Sequence, residues 1–182
     1  MVPLPVSSSV SSPQRLPMIE IWTVDDPASL TAARTLVRAH MLAHSEVHDV
    51  VAVERVVNAL PAPYAPPRGA LWVAWDGDAA VGCLALQELA PDTAELKRMY
   101  VVPEARGRGV ARRLTEHAIA AAAARGYARL RLGTLTTMHA AQRLYASIGF
   151  RRIAPYRAIE FGETWFYERV LDAPAARGST LR

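Results

Sequence analysis

From Met18 the chain alternates apolar and polar side chains through MIEIWTV, the period-two pattern of a half-buried strand. Asp26-Pro27 follows, a capping carboxylate ahead of a proline suited to a first helical turn. It predicts a helix to about His44 with Leu30, Ala33, Val37 and Met41 on one face. Val50, Val53, Val57 and Leu60 recur at helical spacing and predict a second helix over 46–60. The stretch LPAPYAPPRG (60–69) carries four prolines, which exclude helix and central strand and predict a stiff loop.

The runs LWVAW (71–75) and AVGCLAL (80–86) flank an Asp-Gly-Asp turn, the signature of a hairpin. AELKRMYVV (94–102) reads as a strand that ends at Pro103. After the glycine run RGRG, a long helix has Val110, Leu114, Ala118 and Ala121 on one face, and Gly126 is placed to terminate it. ARLRLGT (128–134) alternates as a strand. A helix over 137–148 gathers Ala141, Leu144, Tyr145 and Ile148 on one face, and strands over 151–161 and 164–171 close the pattern. Strands interleaved with helices predict one α/β or α+β domain over 18–172. The Ser- and Pro-rich residues 1–17 predict a disordered lead-in, and residues 173–182 a flexible tail.

Composition narrows the picture only a little. Half of the 182 residues are apolar and about a fifth are charged, as expected of a globular protein. The net charge of +4 invites an anionic partner. With a single lysine among 21 basic residues, the excess also fits an arginine- and alanine-rich coding bias. The lone cysteine, Cys83, cannot form an internal disulfide, which fits a reducing cytoplasmic setting, and it reads as a packed thiol. No run is long and apolar enough to predict a membrane span. A nucleic-acid surface wants aromatics among its arginines, and residues 104–114 contain none.

The chemistry concentrates in RGRGVARRL (106–114), four arginines and two glycines between a strand and a helix. A helix start presents unpaired N–H groups and a partial positive charge, and glycines let a phosphate approach the backbone. A Walker A loop would need Gly-Lys-Ser/Thr, which is missing. A dinucleotide fingerprint would need a glycine where Arg112 stands, and an acidic residue about twenty positions on.

The remaining pattern, Val-x-Pro, Arg-x-x-Gly-x-Ala and then helix, resembles the GNAT superfamily of acetyl-CoA-dependent N-acetyltransferases. ELKRMYVVPEARGRGVARRL (95–114), RLRLGT (129–134) and AAQRLYASIGF (140–150) carry that resemblance, in the order and at the spacing of the family. It implies a mixed central sheet of about six to seven strands flanked by about four helices. It implies a CoA pyrophosphate on the backbone of Arg106, Gly107, Arg108, Gly109, Val110 and Ala111, with Arg112 adding a side chain. The acetyl carbonyl would meet backbone near Met99, Tyr100 and Val101, and the pantetheine arm would pass Thr134. Many members have an asparagine seven residues before the tyrosine; here Met138 stands there, and Thr136 or Thr137 is left to replace its contact.

The resemblance also implies an acid and a base. Tyr145 is the candidate acid for the departing thiolate, against a plain packing role. Glu95 is the candidate base for the attacking ammonium, against pairing with Lys97 or an arginine. Lys97 and Arg98 read as strand-surface or substrate-side charges. Tyr64 and His44 are candidate acceptor-binding residues. His40, His44 and His48 have metal-ligand spacing but read as rim or packing groups, with no metal expected. The expected activity is acetyl transfer to a primary amine, most simply of a small molecule, in a ternary complex; a homodimer is compatible. A protein or peptide amine and a non-catalytic acyl-CoA-binding module are the other readings.

Overall fold

The computed structural model describes residues 18–44, 50–159 and 162–172; the expected lead-in (1–17), the tail (173–182) and His48 lie outside them. Its strands are β1 (Ile19–Thr23), β2 (Ala70–Asp76), β3 (Ala79–Ala90), β4 (Thr93–Val101), β5 (Arg129–Leu135), β6 (Arg151–Ile153) and β7 (Thr164–Val170). Its helices are α1 (Pro27–His44), α2 (Val50–Asn58), α3 (Val110–Ala124) and α4 (His139–Ser147). Among the described residues one seven-stranded sheet runs β1-β2-β3-β4-β5-β7-β6. Only β4 and β5 pair in parallel.

Local chemistry sets the element boundaries. The Asp26 carboxylate accepts the amides of Ala28 (2.7 Å) and Ser29 (3.0 Å), capping α1 as its sequence predicts. Hydrogen bonds from Ser29 hold that carboxyl below its ordinary pKa. Gly77 turns the β2–β3 hairpin at φ +59°. The expected strand over 151–161 is cut to Arg151–Ile153. Pro155 has no N–H for a ladder, and Tyr156 and Arg157 turn to Glu95 instead.

The sheet buries both faces. On one, α3 presents Val110, Leu114, Ala118 and Ala122 and α4 presents Tyr145, against Leu84, Leu86, Leu96, Leu130 and Leu132. On the other, α1 and α2 press Ala33, Leu36, Val37, Val53 and Val57 onto Leu71, Val73, Cys83 and Tyr100. α3 lies close because Gly82 leaves room for it. A Cβ there would stand 2.9 Å from the Tyr100 carbonyl oxygen and 3.2 Å from Leu114 Cδ1.

Leu114 is fully buried at the centre of the α3 contact. Leu114→Ala is expected to cost about 3 kcal/mol, the usual range for a leucine truncated in a tight core. Chemical denaturation should show a lowered midpoint at an unchanged slope.

Candidate active site

The site begins where the parallel pair parts. β4 and β5 stay in register from Thr93↔Arg129 to Leu96↔Leu132 and no further. β5 continues alongside β7 to Leu135↔Thr164. β4 instead bulges: its pairing with β3 jumps from Ala85↔Lys97 to Cys83↔Tyr100, so Leu84 alone faces Arg98 and Met99. Arg98 sits at φ +58°, in the left-handed region. A bulge bends its strand away and interrupts the ladder, which leaves the β5-side backbone edge of Lys97–Val101 without a strand partner. That edge is where the acetyl carbonyl was expected, near Met99, Tyr100 and Val101.

The gap between the strands is a cleft of about 380 Å³. Leu96, Met99, Leu132, Thr134 and Tyr145 form its apolar channel on the α3–α4 side, while His40, Lys97, Arg98 and Arg157 line it towards α1 and α2. Tyr145 is 5 % exposed, and burial raises its hydroxyl pKa above the ordinary tyrosine range. Its ring packs edge-on to Phe150 at 5.7 Å. Among the described residues no protein group hydrogen-bonds to that hydroxyl, so it is available to a ligand in the cleft. The Thr134 hydroxyl reaches Met138 Sδ at 3.5 Å. Thr136 is turned towards Glu163 (3.4 Å), and the Gln142 amide donates to the carbonyls of Leu135 and Thr136.

Near one end of the gap lies the start of α3. Gly107 (φ +76°) and Gly109 (φ +79°) are both left-handed, and open space lies where their Cβ atoms would be. The first intrahelical bond is Arg113 N–H to Gly109 O, so the amides of Val110, Ala111 and Arg112 have no acceptor in the helix. These groups suit a pyrophosphate. The side chains of the same run are occupied elsewhere. Arg106 donates to Val101 O (3.1 Å), Arg108 pairs with Asp76 (2.7 Å), and Arg112 holds Ser147 (2.8 Å) and Glu116 (3.3 Å). Arg112 is therefore tied to α4 rather than turned into the glycine turn.

Glu95 is 3 % exposed. Its Oε1 accepts from the Tyr156 hydroxyl (2.7 Å) and Arg157 Nε (3.0 Å), and Lys97 Nζ stands 3.5 Å from Oε2. Both oxygens are thus engaged, and Glu95 stands behind the cleft wall that Lys97 and Arg157 form. Burial and the adjacent Glu95 charge push the Tyr156 hydroxyl pKa up. Tyr64, expected at the acceptor wall, is buried at 3 % exposure. Its hydroxyl accepts from Arg98 Nε (3.1 Å), so it supports the wall from behind. His44 closes α1, and its side chain lies outside the described residues. His40 packs 6.0 Å from the Tyr100 ring, and no metal-binding cluster occurs among the described residues. Cys83 is fully buried and its thiol is pushed up to about 12, as a packed cysteine should be.

Tyr156 and Arg157 are functional candidates that local pattern does not reveal. They follow a three-residue strand in an irregular segment, and only the fold returns them to Glu95, about sixty residues earlier.

The comparisons agree with this geometry. The acetyltransferase (GNAT) domain model matches residues 67–152. An uncharacterized N-acetyltransferase of Schizosaccharomyces pombe is 34% identical over 143 residues, which cover 76% of this chain and 86% of that one. The N-acetylaspartate synthetase of Danio rerio is 40% identical over 96 residues; they cover 52% of this chain but only 34% of that protein. An acetyltransferase of the GNAT family from Staphylococcus aureus superposes with a TM-score of 0.72 at 20% identity, over 85% of this chain and all of that one. A sheet split beside a glycine turn, matched in sequence along most of the chain, leaves one conclusion: the protein belongs to the GNAT family of N-acetyltransferases.

Proposed function

We propose that the protein transfers the acetyl group of acetyl-CoA to the primary amine of a small molecule, by direct attack in a ternary complex. The observation that carries this reading is the split between β4 and β5. It opens an apolar channel that continues into a polar pocket, beside the strand whose chain runs on into the phosphate-suited start of α3. The Danio rerio relative bears the name of a small acetylated amino acid, which points to a small acceptor.

In this reading the amine nitrogen attacks the thioester carbonyl, a C–N bond forms, and the C–S bond breaks. The unpartnered β4 edge holds the carbonyl oxygen as charge builds on it. Tyr145 gives its proton to the departing sulfur and is reprotonated as the acylated nitrogen sheds its surplus proton; its raised pKa keeps the hydroxyl protonated across the working range. Glu95 is held by Tyr156, Arg157 and Lys97, so in this reading the acceptor enters as the free amine, its ammonium proton already given to solvent. Glu95 acts as a positioning residue through Arg157 and Lys97. Cys83, buried in the acceptor-side core, offers no route through an acetyl-enzyme.

Three outcomes are expected. Tyr145→Phe should lower kcat on the order of 100-fold, within the range for a lost general acid, with little change in the KM for acetyl-CoA. Following thiol release with a panel of amines measures this, and absence of turnover with any amine overturns the reading. Gly109→Ala places a side chain at φ +79° and should cost about 1–2 kcal/mol of stability. Calorimetry should also show CoA binding weakened more than tenfold, because strain at this left-handed position distorts the turn that precedes the free amides of α3. Glu95→Gln should raise the acceptor KM while leaving the shape of the pH–rate profile unchanged. Loss of a low-pH limb would instead make Glu95 the base.

A further inference from the structure

We propose that the acceptor amine also carries a carboxylate, and that Arg98, Lys97 and Arg157 bind it. This rests on the acetyl-transfer reading and adds the class of acceptor.

The first argument is positional. In a regular strand, neighbouring side chains point to opposite faces. The β4 bulge breaks that alternation. Lys97 reaches Glu95, and Arg98 reaches Tyr64 in the α1–α2 core, so two successive cations serve the same face. Arg98 achieves this at φ +58°, a conformation a non-glycine residue adopts only when its surroundings require it. Arg157 arrives beside them from the segment after β6.

The second argument is charge. Among the described residues one carboxylate, Glu95, lies behind three cations, and its ion pairs are with Lys97 and Arg157. Among the described residues no carboxylate pairs with Arg98. The neighbouring charges are already matched: Arg131 with Glu168 at 2.7 Å, and Arg38 with Glu54 at 2.5 Å. The described residues of the pocket therefore carry a positive excess, which favours an anion over a polyamine or a lysine side chain.

The third argument is geometry. Tyr64 takes Arg98 Nε and so pins the plane of the guanidinium, whose remaining N–H groups suit the two oxygens of a carboxylate. The CoA phosphates do not compete for this place, because the glycine turn and α3 lie on the opposite face of the sheet. Arg98 belongs to the same bulge as Met99, whose backbone edge receives the acetyl carbonyl in the acetyl-transfer reading, so the anion site and the reacting centre share one cleft, as a short amino acid would need.

The test uses the full chain loaded with CoA. Calorimetry compares β-alanine and L-aspartate with β-alaninamide and L-aspartic diamide, and 2-aminoethylphosphonate and spermidine complete the panel. The same amines are assayed for turnover with acetyl-CoA. The acids should bind at least tenfold more tightly than their amides and show at least a tenfold higher kcat/KM. Arg98→Asn should reduce that acid-to-amide ratio about tenfold, since asparagine tolerates the left-handed backbone but lacks the fork. Arg157→Lys, which keeps the charge at Glu95, should reduce the ratio less than Arg98→Asn. Tighter binding of the phosphonate, an unchanged ratio in Arg98→Asn, or preference for amides or spermidine would overturn the proposal. Preferred turnover of uncharged or cationic amines would leave acetyl transfer standing without it. Selective binding of acids with no amine acetylated would support the pocket and overturn the acetyl-transfer reading.

Discussion

A parallel pair of strands that holds for four residues and then separates is the constraint on which the rest depends. β5 has β7 to follow, and so continues straight. β4 gains one residue against β3 at Arg98 and Met99 and bends off with it. Closing that gap would bring the two backbones to ordinary ladder spacing and remove the cleft. Opening it costs the hydrogen bonds that the β4 edge would otherwise make, a cost that a bound acyl group can offset by accepting them.

The two faces of the sheet divide the work. The α3–α4 face is apolar, with Leu114 and Leu132 deep inside and Tyr145 reaching the cleft with an unused hydroxyl. The α1–α2 face is apolar at its base but charged at the opening, where Glu95 gathers Tyr156, Arg157 and Lys97. A buried carboxylate needs partners, and two of them, Lys97 and Arg157, line the cleft. Residues that satisfy Glu95 therefore also shape the opening. Removing Glu95 both strands and disperses the cations around it.

Several parts of the fold were legible in local pattern because local physics decides them. The Asp26 cap, the Asp-Gly-Asp hairpin and the glycine starts and stops each act within a few residues. Helical periodicity named the buried faces of α1 and α3 almost residue by residue. The long strand expected over 151–161 failed because periodicity cannot weigh a tertiary demand, in this case the pull of Glu95 on Tyr156 and Arg157, against ladder pairing. Tyr64 moved from the acceptor wall to a place behind it for the same reason: its phenol is buried and bonded to Arg98.

The sequence by itself determined the family and the identity of the phosphate-suited turn. Gly107, Gly109 and Ala111 act through backbone shape, and backbone shape at a helix start is local. It also marked Tyr145 and Glu95 as the residues with chemistry to spare. Only the tertiary structure decided what those residues face: Tyr145 an open channel, Glu95 a tyrosine hydroxyl and two cations. The difference is one of range. A hydrogen-bond donor at a helix start needs only its neighbours, whereas the setting of a buried carboxylate depends on chain returning from sixty residues away.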